Sequence, residues 1–313
     1  MPENLNKDNM NIKYFLLIGC LLLCSINVFS QEEQRLKYEF KYKSVNGHDI
    51  MATIYLPESN NKTPVLIYFH GGGFIFGNRN QGLEELIRDK LLANNIAVVS
   101  ADYRLAPGTK LDGILEDVRD VITWIKDKGE GSFNINTNKV AVGGGSAGGY
   151  LALSTGFEPH YAPNAIISIS APTGFSTEGI KPADLSLLND TWKGSIVSHG
   201  DYASRMDLWR QLGKNGLALY EIFGFDPAKE PEKLGKYTLT NNIKTGYPPT
   251  LIVHAKNDRA VKFDEAKAFH MFLQDKQIES ELYIVENGHS SELIKQHPEA
   301  VEEIVAFLNR QFE

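Results

Sequence analysis

Short, almost unbroken apolar runs recur along the chain, at residues 65–69, 96–100, 140–142, 165–169, 251–253 and 282–285, with helical patterns filling most of the intervals. A strand that is apolar on both faces has to be covered on both faces. Alternation of such strands with helices therefore predicts a mostly parallel sheet sandwiched between helical layers. One helix is plain in the spacing of Ile114, Val118, Val121, Ile122 and Ile125, with Asp112, Glu116, Asp117 and Asp120 on its other faces. Similar patterns run over residues 82–93, 263–275 and 291–312. Ahead of them Tyr38, Phe40 and Tyr42 alternate with polar residues, Asn46-Gly47 interrupts, and Ile50, Ala52, Ile54 and Leu56 alternate again, which predicts a hairpin. The expectation is one α/β domain over residues 31–313, with about eight mostly parallel strands, the first two antiparallel, and helices on both faces.

One interval breaks the rhythm. Between residues 171 and 248 no strand-like run occurs, yet Trp192, Tyr202, Trp209, Tyr220, Phe223 and Phe225 fall there. An unstructured loop of that length is uncommon, so a helical insertion over one end of the sheet, a partial lid at about residues 172–246, is expected. Most of its aromatics are expected to form the insertion's own core.

Gly144-Gly145-Ser146-Ala147-Gly148 lies between the apolar run at Val140 and a helical stretch. This is G-x-S-x-G in the strand-turn-helix setting in which a sharp turn exposes a nucleophilic serine, and small flanking residues are needed because side chains would meet the adjoining backbone. The competing use of such glycines, a phosphate loop, lacks its G-K-[ST] ending. His70-Gly71-Gly72-Gly73-Phe74 directly follows another apolar run. Acyl transfer places negative charge on a carbonyl oxygen, and preorganised backbone N–H groups stabilise it. The amides of Gly71 or Gly72, with that of Ala147, are the candidate donors of this oxyanion hole, and His70 is expected to orient the loop.

A serine hydroxyl needs a base, and the base an orienting carboxylate. In the order Ser, acid, His, with each group after a strand, Asp258 follows the run at 251–253 and His289 the run at 282–285. Glu286 and Asp264 are the other carboxylates within reach. His48 and His70 precede the serine, His270 and His297 fall within helical patterns, His160 and His199 lie in loop or lid, and His254 reads as packed. The candidate catalytic set is Ser146, Asp258 and His289. Neither H-E-x-x-H nor H-x-H occurs, so no metal site is expected.

Together with Asp102-Tyr103-Arg104-Leu105-Ala106-Pro107, these motifs resemble the hormone-sensitive-lipase-like branch of the α/β hydrolases and the related small bacterial acetyl and feruloyl esterases, over about residues 40–310. The resemblance implies the α/β-hydrolase fold and hydrolysis of carboxylic esters through an acyl-enzyme, without a cofactor. Two departures stand out: Gly145 occupies the position where the family commonly has Asp, and Gly108 the position of a common Glu. The short stretch between residues 31 and 70 has no room for the N-terminal helical cap of that branch. A more open site suits an ester of a bulky alcohol such as a sugar.

Lys13, an apolar stretch over residues 14–23 and a small-residue site at Val28-Phe29-Ser30 read as an export signal, residues 1–30, with the mature chain starting near Gln31 and a periplasmic or extracellular destination. The alternative is a lipoprotein anchored at Cys20. The apolar stretch is shorter than the ~20 residues of a bilayer span, so no stable membrane span is expected. Both cysteines, Cys20 and Cys24, fall in this segment, which excludes a thiol nucleophile or a disulfide framework in the mature protein. A net charge of −7, with no basic cluster, argues against nucleic acid as a partner. The expected substrate is a small-molecule or oligosaccharide ester bearing an acetyl or feruloyl-type group. A lipase or general carboxylesterase on short acyl esters, a peptidase of the same fold, and a binding protein on a retired hydrolase scaffold remain open beside it.

Overall fold

The computed structural model describes residues 36–176, 180, 182–188 and 202–313. The export segment with Cys20 and Cys24, and also Trp192 and His199, lie outside these residues. β1 (Leu36–Val45) and β2 (His48–Leu56) meet at Asn46-Gly47, where both residues have positive φ (50° and 80°). This is the pair of left-handed conformations that a tight two-residue hairpin turn demands. β3 (Thr63–Phe69), β4 (Ala97–Ala101), β5 (Ile135–Gly145), β6 (Ala165–Ile169), β7 (Thr250–Ala255) and β8 (Ser280–Val285) complete an eight-stranded sheet of order β1-β2-β4-β3-β5-β6-β7-β8. β2 runs antiparallel to β4, and every pairing from β4 through β8 is parallel.

The helices are α1 (Glu85–Ala93), α2 (Leu111–Phe133), α3 (Ala147–Ser154), α4 (Tyr202–Lys214), α5 (Ala218–Phe223), α6 (Phe263–Asp275), α7 (Ser291–Gln296) and α8 (Glu299–Phe312). Strand periodicity sends Val65, Ile67 and Phe69 into one core with Ile114, Val118 and Val121 of α2 and Phe269 of α6. It sends Leu66 and Tyr68 into the other, with Ile87 and Leu91 of α1 and Ile304, Phe307 and Leu308 of α8. Each large aliphatic side chain so buried contributes roughly 1.5–3 kcal/mol, which is why the central strands are mostly apolar, with the buried Ser100, Ser168, Thr250 and His254 among the exceptions.

Three expectations about the elements need correction. The helical pattern over 291–312 is two helices: Pro298 lacks an N–H and disfavours helical geometry before it, and His297 leaves the helix at φ −129°, ψ 68°. β5 starts at Ile135, well ahead of its apolar run, because Thr63 pairs with Ile135 and supports the polar Asn136, Thr137 and Asn138. The run 282–285 is expected to be covered on both faces, but β8 is an edge strand and Ile284 is 44% exposed.

Between β6 and β7 the described residues form α4, α5 and 3₁₀ turns at Pro231–Tyr237 and Leu239–Asn241. Arg205 of α4 donates to the Ala106 carbonyl at 2.9 Å, and Lys110 pairs with Glu221 of α5 at 2.7 Å. Phe223, Phe225 and Tyr237 join Phe175, which meets Phe74 and Tyr150, in one aromatic cluster. Tyr202 and Trp209 take a different course and meet Phe76 at ring-centre distances of 5.7 and 5.4 Å.

Candidate active site

The sheet's winding reverses between β3 and β5, the neighbours on either side of the first parallel turn-back, and open parallel sheets place their ligands at the carboxyl ends of the strands flanking such a point. β3 delivers the glycine loop there, and β5 delivers Ser146. The passage from β5 to α3 is made by Ser146 alone, at φ 54° and ψ −122°. Such a conformation costs a non-glycine residue about 1–3 kcal/mol and persists only where surroundings enforce it. Here the Ser146 amide donates to the Ile169 carbonyl at 2.8 Å, and its carbonyl accepts from the Tyr150 amide at 3.1 Å. Space is equally restrictive: a β-carbon at Gly148 would fall 2.1 Å from the Phe69 carbonyl oxygen.

Gly71 abuts this turn, since a β-carbon there would lie 3.4 Å from that of Ser146 and 3.0 Å from the Gly145 carbonyl oxygen. Among the described residues no acceptor takes the amide of Gly71 or Gly72. Ala147 opens α3, where the first amides have no partner within the helix. Three N–H groups thus border Ser146 without an assigned acceptor in their own backbone. Asp102 and Tyr103 hold the loop that carries two of them. Tyr103 stacks on His70 at 4.1 Å and donates its hydroxyl to the His70 carbonyl at 2.7 Å. Asp102 accepts from the Arg79 amide at 2.7 Å and pairs with its guanidinium, and the Ala106 amide donates to the Phe74 carbonyl at 2.9 Å. His70 is buried and its Nδ1–H donates to the Gly71 carbonyl at 2.7 Å. Burial lowers its pKa despite that bond, so the ring stays neutral.

His289 follows β8 and donates from Nδ1 to Oδ2 of Asp258, which follows β7, at 2.8 Å. The other carboxylate oxygen accepts from the amides of Ala260 (2.8 Å) and Val261 (3.0 Å). Burial works to raise the Asp258 pKa, but the bonds from His289 and the two amides outweigh it, and the carboxyl sits below its ordinary range. Glu286 is turned to Lys256 and Asn257 instead, at 3.4 and 3.1 Å. His254 is packed: its Nε2 donates to the Val261 carbonyl at 3.0 Å, and burial holds it neutral. Ser146 and His289 line the same cavity of about 330 Å³, together with Gly71, Gly72 and an aromatic wall of Phe76, Tyr202 and Trp209.

Sequence reasoning passed over Ser170 and Ser290. Ser290 succeeds His289, has φ 52° and ψ −115°, and donates its amide to Ser170 Oγ at 3.0 Å. Ser170 is fully buried at the end of β6, and its own amide is held by the Val253 carbonyl at 2.9 Å. A β-carbon at Gly145 would fall 2.1 Å from Ser290 Oγ. The glycine that departs from the family pattern gives Ser290 Oγ its room, and that substitution was the one available signal. The cavity-lining aromatics had no separating signal, because helix α4 alone decides which face of the insertion meets the glycine loop.

A parallel sheet carrying a strained serine at one strand end, a glycine loop at the next and a His–Asp pair beyond defines an α/β hydrolase. The chain belongs to the α/β-hydrolase-fold family, whose model matches residues 66–289. A non-reducing polyketide synthase of Stereocaulon alpinum is 33% identical over 277 residues, which are 73% of this chain and 11% of the synthase. The chain spans 7–15% of the length of the large polyketide synthases it matches. Among solved structures, a truncated carbohydrate esterase from gut microbiota superposes with a TM-score of 0.71 at 16% identity, covering 90% of this chain and 98% of that one. An acetyl ester-xyloside bifunctional hydrolase from Caldicellulosiruptor lactoaceticus gives 0.66 at 18% identity, covering 87% and 96%. At such identities the likeness speaks for the fold.

Proposed function

We propose that the protein is an exported serine carboxylester hydrolase that removes acetyl or feruloyl-type groups from carbohydrate. The observation that carries the reading is the His289–Asp258 hydrogen bond at 2.8 Å beside a cavity that also contains Ser146 and the Gly71-Gly72 loop. In this scheme His289 Nε2 takes the Ser146 proton as Oγ forms a bond to the ester carbonyl carbon. The oxygen that becomes negative is met by the amides of Ala147 and Gly71 or Gly72. Collapse breaks the bond to the alcohol oxygen, which leaves with the proton from His289, and an acyl-serine remains. Water, deprotonated by His289, then releases the carboxylic acid and restores the serine.

The aromatic wall of Phe76, Tyr202 and the exposed Trp209 suits a feruloyl-type acyl group, since aromatic rings stack on one another. Carbohydrate as the alcohol is supported by the names of two structural neighbours, a carbohydrate esterase and an acetyl ester-xyloside hydrolase. Export rests on residues 1–30 and is tested by the N-terminal mass of the protein recovered outside the cytoplasm. Activity is tested with a fluorophosphonate probe on the wild type and Ser146→Ala, followed by p-nitrophenyl acetate, butyrate and octanoate beside acetylated and feruloylated oligosaccharides. Labelling lost in Ser146→Ala and a preference for short or sugar esters support the reading. Preference for octanoate replaces it with a lipase, and absence of labelling replaces it with a binding protein.

A further inference from the structure

A second hollow, of about 550 Å³, adjoins the glycine loop's cavity, and the two share only His289 and Ala260 in their walls. It is open to solvent, and the side chains of Asn257, Arg259, Asn287, Glu292 and Gln296 along it are exposed. The linings differ in chemistry. Where the Ser146 cavity has glycines and aromatics, this one has Asn257, Arg259, Asn287, Glu292 and Gln296. Several of these are oriented by one another: the Asn257 amide donates to Asn287 Oδ1 at 3.1 Å, and Gln296 donates to Glu292 at 3.0 Å. Arg259 is exposed, and among the described residues no hydrogen bond or ion pair engages its guanidinium.

The direction of the reaction connects the two cavities. His289 has spent Nδ1 on Asp258, so Nε2 is the atom that hands a proton to the leaving oxygen, and that oxygen has to come within hydrogen-bond reach of it. The alcohol half of an ester held at Ser146 is thereby carried to the His289 side, and the polar hollow adjoins that side across His289 and Ala260, which line both spaces.

Resting on the ester-hydrolase reading above, we propose that this hollow is the subsite for the leaving alcohol and that it takes a neutral sugar through adjacent hydroxyls. Each such hydroxyl both donates and accepts. The lining supplies donors from Arg259 and Gln296 and acceptors from Glu292 and Asn287. One guanidinium and one carboxylate facing the same space favour a neutral polyol over an anion, and the absence of a large apolar surface disfavours a fatty alcohol.

The test is the double variant Arg259→Ala/Gln296→Ala, measured against wild type on an acetylated xylobiose and on p-nitrophenyl acetate, with free xylobiose as inhibitor. The expected result is a fall of tenfold or more in the ratio of kcat/KM for the sugar ester to that for the aryl ester, expressed in KM, with a matching rise in the inhibition constant of xylobiose. Lys256→Ala, whose side chain is turned to Glu286, leaves the ratio unchanged. An unchanged ratio in the double variant, or no inhibition of the wild type by xylobiose, overturns the subsite. A ratio that falls only for an ester of a uronic acid overturns the neutral sugar. Fluorophosphonate labelling of Ser146 in every variant separates these results from failure of the ester-hydrolase reading, which would remove the labelling itself.

Discussion

The Nδ1–H of His289 is donated to Oδ2 of Asp258 at 2.8 Å, and the opposite carboxylate oxygen is fixed by the Ala260 and Val261 amides. The pair is therefore oriented from both ends, the imidazole by the carboxylate and the carboxylate by its own loop. Asp258→Asn keeps the size of the side chain but presents an N–H where an acceptor is needed, which favours the wrong tautomer of His289. We expect kcat on p-nitrophenyl acetate to fall by about 10³–10⁴ with KM nearly unchanged. A loss below tenfold in steady-state kinetics would show that another carboxylate serves His289.

The contact between Gly145 and Ser290 makes a prediction about paired substitutions. Gly145→Ala places a methyl group 2.1 Å from Ser290 Oγ and 3.3 Å from its β-carbon, so the Ser290 side chain or the loop bearing it and His289 has to shift. The expected cost is about 1–3 kcal/mol of stability, as for other overpacked sites, with a fall in kcat. Ser290→Gly removes the hydroxyl at a position whose φ of 52° glycine accepts readily, so the double variant recovers most of both losses. Thermal unfolding and kcat of the four proteins in the cycle decide it, and additivity of the two substitutions would refute the contact.

Ser170 acts on His289 through Ser290, as the acceptor of its amide at 3.0 Å. Ser170→Ala leaves that amide without its bond and loosens the histidine, and small misplacements of a reacting group can cost up to about 10²-fold. The expectation is a fall of about tenfold in kcat with KM held, and recovery in Ser170→Thr, which restores a hydroxyl. A change in KM alone would show that Ser170 acts on substrate binding.

Gly71→Ala sets a β-carbon 3.0 Å from the Gly145 carbonyl oxygen and 3.4 Å from the Ser146 β-carbon. The loop moves outward and its amide with it. A fall in kcat of about 10²–10³ is expected for loss of one oxyanion donor, with the fold unchanged by circular dichroism. Wild-type rates in this variant would remove the loop from the mechanism.

The buried histidines also set a pH dependence of stability. Burial lowers the pKa of His254 and of His70 in the folded protein, so the unfolded chain takes up protons first as pH falls through the ordinary histidine range. Their contribution to stability is complete above the unfolded value and declines below it. Asp258, whose pKa is also lowered, follows the same sign at more acid pH: its contribution is complete above the ordinary aspartate value and is lost as pH falls through the folded one. His254→Gln retains a donor for the Val261 carbonyl and removes one titrating group. Urea midpoints at pH 7.5 and 5.5 should then fall less in the variant than in the wild type.

Much of this molecule is determined by local pattern. Burial on both faces requires continuous apolar runs, so the central strands and the covering helices announce themselves, and a backbone turn too tight for side chains requires the glycines around Ser146. The helix over residues 263–275, and that expected over 82–93 and found at Glu85–Ala93, were legible for the same reason. Where neighbours rather than composition set the outcome, the pattern was silent or misleading. β5 gains its polar first half from pairing with β3, β8 is exposed because it ends the sheet, and Pro298 divides a periodic stretch in two. The site follows the same division. Ser146, Asp258 and His289 stand in recognisable local settings, and the chain order that places them could be read directly. Only the tertiary structure decided that Ser290 fills the space above Gly145, that Trp209 turns to the cavity while Phe223 turns to the core, and that a polar hollow opens beyond His289. These are contacts between segments far apart in the chain, and no single segment's periodicity encodes the distance between two of them.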